Sequence, residues 1–326
     1  MYPIGDMNII GKNMEVQPCV ATIGSFDGVH QGHRFVIQQV VFQARKRGLD
    51  AVVVTFPNHP LQVLRDDFRP QLLTLAEEKV KLMQQTDIEK IAIMDFTRDL
   101  AQMSAREFMQ HILKEQLQVK VLVMGHDNHF GHGKTAFEDY VRYGHELGME
   151  VLSVPPMPHG DGCPISSTAI RGALLSGDVA CANAMLGYRY ALQGLVVEGF
   201  QNGKRLGFPT ANLQVDPSKL VPKNGAYLVR TCGFPTCADA RQGLCRGECY
   251  GMLNIGTRPT LHNGSQRSIE VHLFDFDGDL YGTRLCIELL HHLRNEREFR
   301  SLEELQCQLA NDEQVCHQLL TLHAYD

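Results

Sequence analysis

Two histidines three residues apart, His30 and His33, sit in the stretch GSFDGVHQGH (residues 24–33), which also holds Gly24, Gly28, Gly32 and the carboxylate of Asp27. The stretch directly follows an apolar run at residues 20–23. Glycines let a backbone come close to a ligand, and a helix that starts there turns unpaired N–H groups and a positive dipole end toward an anion. Imidazoles in such a turn can donate to phosphate oxygens and offset charge developing on phosphorus. The same pair can serve as zinc ligands, but zinc asks for a third ligand at regular spacing and a catalytic carboxylate, and neither is evident. A glycine turn with incidental histidines is the third reading.

Such a turn works only where a strand and a helix hold it. Residues 20–23 read as a buried strand, and residues 33–47 as a helix stopped by Gly48. Further strands are predicted at residues 51–56, 88–96, 119–124 and 150–154. Between them, TLAE (residues 74–77) and SARE (residues 104–107) read as capping boxes, the first opening a helix through Gln84. Residues 135–147 read as a helix ended by Gly148. Short apolar strands alternating with amphipathic helices predict a parallel sheet covered on both faces, with its ligand crevice at the strands' carboxyl ends. After about Gly187 the pattern changes. Runs at residues 191–197, 226–231 and 269–276 carry strand residues without long helices between them, which predicts an antiparallel barrel or sandwich. Helical periodicity returns only at residues 301–320, and the boundary near residues 185–188 divides the chain into domains 1–186 and 187–326.

The 326 residues exceed one ordinary hydrophobic core, so two domains are expected. Hydrophobic residues at 44% and charged residues at 21% describe an ordinary globular balance. A net charge of −6 excludes a nucleic-acid binder that works by broad electrostatic attraction, though not a local nucleotide site. The N-terminal residues lack a signal-peptide pattern, and no apolar run approaches a membrane span. A cytoplasmic protein with reduced thiols is therefore expected for the ten cysteines. Cys232, Cys237, Cys245 and Cys249 crowd one stretch and invite a zinc or disulfide reading, but their spacing is not paired CxxC, and the favoured reading is an extended hairpin with reduced thiols.

The string GSFDGVHQGH resembles the GxFDGxHxGH signature of nucleotidylyltransferases, specifically the FAD synthetase module of bacterial bifunctional riboflavin kinase/FMN adenylyltransferases. ISSTAIR (residues 165–171) resembles that module's ISSTxIR. Small hydroxyls at a helix start present O–H and N–H donors, and Arg171 can fork onto a triphosphate. The resemblance implies His30, His33 and Arg171 as catalytic residues. It places Gly24, Phe26, Asp27, Gly28, Gly32, Ser166, Ser167 and Thr168 around ATP. TFPNHP (residues 55–60) resembles a segment that borders the flavin, which implies His59 and Pro60 there. GHDNHFG (residues 125–131) resembles the family's GxDFRFG loop and implies Asp127 at the flavin. Asn128 stands there for the usual aromatic and His129 for the usual arginine. FTRDLA (residues 96–101), followed by Ser104 and Phe108, matches a scaffold segment.

In the second half, GLVVEG (residues 194–199) and GKRLGFPTAN (residues 203–212) resemble the flavokinase signature, and no Walker motif is present. The resemblance implies Gly203, Lys204, Gly207 and Pro209 at the phosphates. It also implies Thr210 and Asn212 on ATP and Mg²⁺. Glu270, in IEVHLFDF (residues 269–276), aligns with the family's catalytic glutamate, the base for the attacking hydroxyl. NIGTRPT (residues 254–260) matches a family loop, and LRNEREF (residues 293–299) matches the segment that caps the flavin pocket, which implies Arg297 at the flavin.

The implied fold is an α/β Rossmann-like nucleotidylyltransferase domain followed by a mainly β flavokinase domain, a six-stranded barrel with a C-terminal helix. The implied work is phosphorylation of riboflavin to FMN and adenylylation of FMN to FAD with release of pyrophosphate. ATP, riboflavin and FMN are the implied substrates and Mg²⁺ the cofactor, with no nucleic-acid or membrane partner. A riboflavin kinase with an impaired adenylyltransferase and a non-catalytic flavin-binding protein are the competing readings.

Overall fold

The computed structural model describes residues 7–11, 15–57, 63, 71–126, 128–157, 165–198, 207–231, 249–258 and 266–322. Chain contacts gather into two compact units, Met1–Ser167 and Thr168–Asp326.

In the first unit, strands β1 (Met7–Gly11), β2 (Cys19–Ile23), β3 (Asp50–Thr55), β4 (Lys90–Met94), β5 (Val119–Gly125) and β6 (Glu150–Val154) form one sheet in the order β1-β4-β3-β2-β5-β6. Neighbours are parallel throughout except β1, which runs antiparallel to β4. The helices are α1 (Gln31–Arg47), α2 (Ala76–Gln84), α3 (Arg98–Gln102), α4 (Ala105–Phe108), which continues into a π-helix at Met109–Gln116, and α5 (Phe137–Leu147). Alternate strand residues serve opposite faces of the sheet. Ala21, Ile23, Val52 and Val54 join a core with Met109, Ile112 and Tyr140. Val20, Ala51 and Val53 join another with Ile37, Val40 and Ala44 of α1. Burial on both faces explains why these strands read as unbroken apolar runs. The chain steps from β2 to β3 on one side and from β5 to β6 on the other. A crevice therefore opens where the carboxyl ends of β2 and β5 diverge.

The second unit carries α6 (Ser167–Ser176, whose first residue ends the first unit), α7 (Val179–Leu186) and a closed antiparallel barrel. Its strands are β7 (Ala191–Val197), β8 (Ala211–Val215), β9 (Gly225–Thr231), β10 (Tyr250–Arg258), β11 (Gln266–Leu273) and β12 (Arg284–Asn295), in the order β10-β11-β8-β7-β12-β9. Closure leaves no free sheet edge. Leu253, Ile255, Ile269, Val271 and Ile287 are buried at alternating strand positions. The C-terminal helix α8 (Leu302–Leu322) packs Cys316 with Leu228, Met252, Phe274 and Leu290 of the barrel. Among the described residues no helix is long and apolar enough to cross a membrane.

Several local expectations change. Helix α1 starts at Gln31, two residues early, because His30 itself is its N-cap. Helix α2 starts at Ala76, and the reaching carboxylate is Glu78, which accepts from the Leu75 N–H at 2.9 Å, rather than Glu77. Residues 254–258, read as a loop, belong to strand β10. Cys286 is disulfide-bonded, whereas Cys19, Cys181, Cys249, Cys307 and Cys316 are free thiols. Uniformly reduced cysteines are thus not what the structure shows. Cys232, Cys237 and Cys245 lie outside the described residues.

Candidate functional sites of the two units

The turn after β2 is built under strain. Phe26 (φ 49°) and Val29 (φ 36°) adopt the left-handed region, which is costly for a β-branched residue, and Gly28 adopts it at φ 85°. Anchoring makes the strain tolerable. The Gly24 N–H donates to Val54 O at 3.0 Å. The buried Asp27 carboxylate accepts from the N–H groups of Leu73 at 3.0 Å and Thr74 at 2.9 Å. Thr74 Oγ1 in turn accepts from the Gly28 N–H at 2.9 Å. Asp27, placed with the phosphate ligands by sequence, thus holds the turn onto the segment before α2.

His30 is 4% exposed. Its Nδ1 accepts the His33 backbone N–H at 3.3 Å and caps α1, so Nδ1 carries a lone pair and the ring proton sits on Nε2. The ring is neutral. It stacks on His33 with centroids 3.5 Å apart and planes 17° apart. Burial, then the neighbouring His30 and Lys79, hold the His33 pKa well below the ordinary histidine value. His33 is therefore held as an imidazole rather than an imidazolium, stacked on the His30 ring. His33 Nδ1 is buried with no hydrogen-bond partner among the described residues.

The second sequence motif reaches this turn. Ser167 Oγ donates to Asp27 O at 2.8 Å, although the two residues are 140 positions apart. A Cβ on Gly32 would crowd the His30 ring at 3.2 Å, while Ile165 O of the second motif would lie at an ordinary contact distance of 3.5 Å. Ser166 is half-buried beside it. Thr168 and Arg171 follow in the first turns of α6, exposed and half-buried respectively.

Beside the turn lies a cavity of about 470 Å³, walled by Phe56, Phe96, Leu100, Phe108 and Phe130 and rimmed by Ser25, Asn128, His129 and His132. Asn128 Nδ2 donates to Ile23 O at the end of β2. The residue that departs from the family's aromatic is therefore a strut between the β5 loop and the β2 turn. Tyr140 clamps the same loop, accepting the Phe130 N–H at 2.9 Å and donating to Phe130 O at 2.6 Å. Phe96 and Phe108, assigned by sequence to scaffold, line the cavity. Only the folded arrangement of α3 and α4 reveals this, since two phenylalanines twelve residues apart carry no pattern of their own. His59, Pro60 and Asp127 lie outside the described residues.

In the second unit Glu270 pairs in register with Asn212 of β8 on one side and Asn254 of β10 on the other. Cross-strand partners share a face, and the flanking Ile269 and Val271 are buried. The Glu270–Asn212–Asn254 row therefore points away from the barrel interior. His272, two residues along the same face, contacts Pro209 O through Nδ1 at 2.8 Å. A carbonyl can only accept, so His272 Nδ1 carries the proton and pins the Gly207–Asn212 segment to β11. In the sequence His272 and Asn254 fall within motifs that give neither a role of its own; strand register places both on the face of Glu270. Gly207 sits at φ 85°, a conformation that favours glycine. Arg297 donates to Glu304 at 2.6 Å and to Gln308 at 2.9 Å, engaging α8. Gly203 and Lys204 lie outside the described residues.

Comparison with known proteins accounts for both halves. The FAD synthetase family profile matches residues 12–169 and the riboflavin kinase family profile matches residues 186–320. The chain is 37% identical over 305 residues to the bifunctional riboflavin kinase/FMN adenylyltransferase of Escherichia coli K12, covering 93% of each. It is 36% identical to the protein of the same name from Bacillus subtilis, covering 90% of each. A solved chain from Streptococcus pneumoniae, described as a macrolide-efflux protein, superimposes with a TM-score of 0.80 at 31% identity over 92% of this chain and 94% of that one.

Proposed function

The chain belongs to the bifunctional riboflavin kinase/FMN adenylyltransferase family, and from that premise we propose which of its residues carry each reaction. The protein phosphorylates riboflavin to FMN and adenylylates FMN to FAD. Residues 1–186 serve as the adenylyltransferase domain and residues 187–326 as the kinase domain.

In adenylyl transfer, an FMN phosphate oxygen attacks the α-phosphorus of ATP, and pyrophosphate leaves with its bonding electrons. The His30 Nε2–H and the neutral His33 donate to oxygens on which charge builds. Neutral donors suit this place, since they add hydrogen bonds without needing to keep a buried charge. Arg171 forks onto the triphosphate, and the hydroxyls and N–H groups of Ser166, Ser167 and Thr168 complete its cradle. The aromatic-walled cavity takes the flavin ring, with His59, Pro60 and Asp127 beside it. The observation that carries this reading is the meeting of the His30–His33 turn, Ser167 and that cavity at one strand end.

In the kinase reaction, the riboflavin 5′-hydroxyl attacks the γ-phosphorus of ATP, its proton passes to Glu270, and ADP leaves. Gly203, Lys204, Gly207 and Pro209 border the phosphates. Thr210 and Asn212 offer hard, neutral oxygens beside the Glu270 carboxylate, a donor set that fits Mg²⁺ shared with phosphates and water. Mg²⁺ there would offset phosphate charge. Arg297, on the segment leading into α8, closes over the flavin. Consumption of ATP in both steps supports a cytoplasmic location.

The test is incubation with riboflavin, Mg²⁺ and ATP followed by separation of products. FAD is the expected product. FMN alone would favour an impaired adenylyltransferase, the reading suggested by His129 at the cavity rim. Unreacted riboflavin would overturn both.

A further inference from the structure

Lys79 on α2 is 6% exposed, yet it carries a basic group that neither reaction uses. Its Nζ donates to Ser25 O at 2.9 Å and to Phe56 O at 2.5 Å. Ser25 belongs to the strained turn after β2, and Phe56 follows β3. Both residues line the aromatic cavity. One ammonium therefore ties the turn that bears His30 to the cavity wall one strand away, and Thr55 Oγ1 adds a bond to the same Ser25 O at 3.3 Å. A charged donor shared by two carbonyls is stronger and more directional than a neutral one. Burying it without partners would be costly.

We propose that Lys79 is a positioning residue for adenylyl transfer, cross-linking the phosphate-binding turn to the flavin-side wall so that the two substrates are held in attacking register. The proposal rests on the assignment of adenylyl transfer to this cavity. Misplacing reacting groups by about 1 Å can cost about a hundredfold in rate, which is the scale on which a cross-link of this kind acts.

The protonation of Lys79 gives the cross-link a signature. Burial pushes its pKa down to about 8, against the opposing pull of the Asp27 carboxylate. The other titratable groups near it are His33, whose pKa its charge depresses, and the stacked His30. Phe56 and Pro57, the described residues that follow β3, carry no titratable group. Because the pKa lies below that of free lysine, the charged cross-link is nearly complete a unit or more below pH 8, half lost at about pH 8 and largely lost above it.

The experiment uses the full chain, wild type and Lys79→Met, with FAD formation from FMN and ATP and FMN formation from riboflavin measured in the same preparations. Rates are followed from about pH 6.5 to about pH 9.5. Lys79→Met should lower kcat for FAD formation at pH 7 about tenfold or more, with KM for ATP within about twofold and the kinase rate unchanged. Wild-type FAD formation should decline severalfold through about pH 8, and the variant should lack that limb. A variant with wild-type kcat, or one that keeps the same alkaline decline, would overturn the proposal. If Lys79→Met does not fold, so that kinase activity is lost too, the wild-type profile decides alone, and a flat adenylyl-transfer rate through pH 8 overturns it. A wild-type chain that makes no FAD at any pH sinks the adenylyl-transfer assignment itself, whereas FAD formation indifferent to Lys79 sinks only the cross-link.

Discussion

His30 divides two duties between its ring nitrogens. Nδ1 caps α1, and in the proposed reaction the Nε2–H is the group that donates to a phosphate oxygen. His30→Asn separates the duties, because asparagine caps a helix well but places nothing where Nε2 stands. The variant should keep its thermal midpoint, keep FMN formation, and lose FAD formation from FMN and ATP by about 10²–10³-fold. His30→Ala should lose the cap as well, at about 1 kcal/mol of stability. Near wild-type FAD formation by the asparagine variant would show that Nε2 does not serve the reaction. The two histidines were legible because their spacing sits in a glycine-rich turn after an apolar strand. Asp27 was legible only as part of that string, and its structural duty was not. A carboxylate among phosphate ligands gives no sign in sequence that Leu73 and Thr74 occupy it.

At the scale of elements, what could be read was what repeats locally. The buried runs of β2, β3 and β5 and the glycine stops of α1 and α5 carry their signals within a few residues. Strand β12 escaped because its twelve residues mix charge with apolar groups, one face meeting solvent and the other the barrel. Helix α8 was legible by periodicity, but its attachment was not, since an aspartate in a helix reads as a surface residue. In the structure Asp312 is 4% exposed and takes a bidentate pair from Arg294, with Nε at 3.1 and 2.9 Å and Nη2 at 2.7 Å. Gln308 supports it at 2.7 Å. Asp312→Ala leaves the guanidinium of Arg294 without its counter-charge in a site only 19% exposed. A loss of about 3–5 kcal/mol is expected, because the uncompensated charge costs more than the pair contributes. Urea unfolding followed through the kinase activity measures it, and a midpoint equal to wild type would show that α8 is held by its apolar contacts alone.

At the scale of the molecule, two chemistries that both consume ATP are joined in one chain, and on the proposed assignment they share no catalytic group. Adenylyl transfer asks for donors around a phosphorus that already has its nucleophile, the FMN phosphate, and needs no base. The kinase must first take a proton from a hydroxyl, and the structure places a half-buried carboxylate, Glu270, between Asn212 and Asn254. Glu270→Gln tests this asymmetry with little change in shape, because glutamine keeps the volume and the hydrogen-bonding row while removing basicity. FMN formation should fall about 10²–10⁴-fold, the range attached to general base catalysis. FAD formation from added FMN should continue at the wild-type rate. The wild-type chain given riboflavin and ATP should end at FAD, whereas the variant should accumulate neither FMN nor FAD until FMN is supplied. Loss of both activities in a folded Glu270→Gln protein would mean that the carboxylate serves the chain as a whole. Full kinase activity would mean that the proton leaves by another route and that Glu270 is there for the barrel.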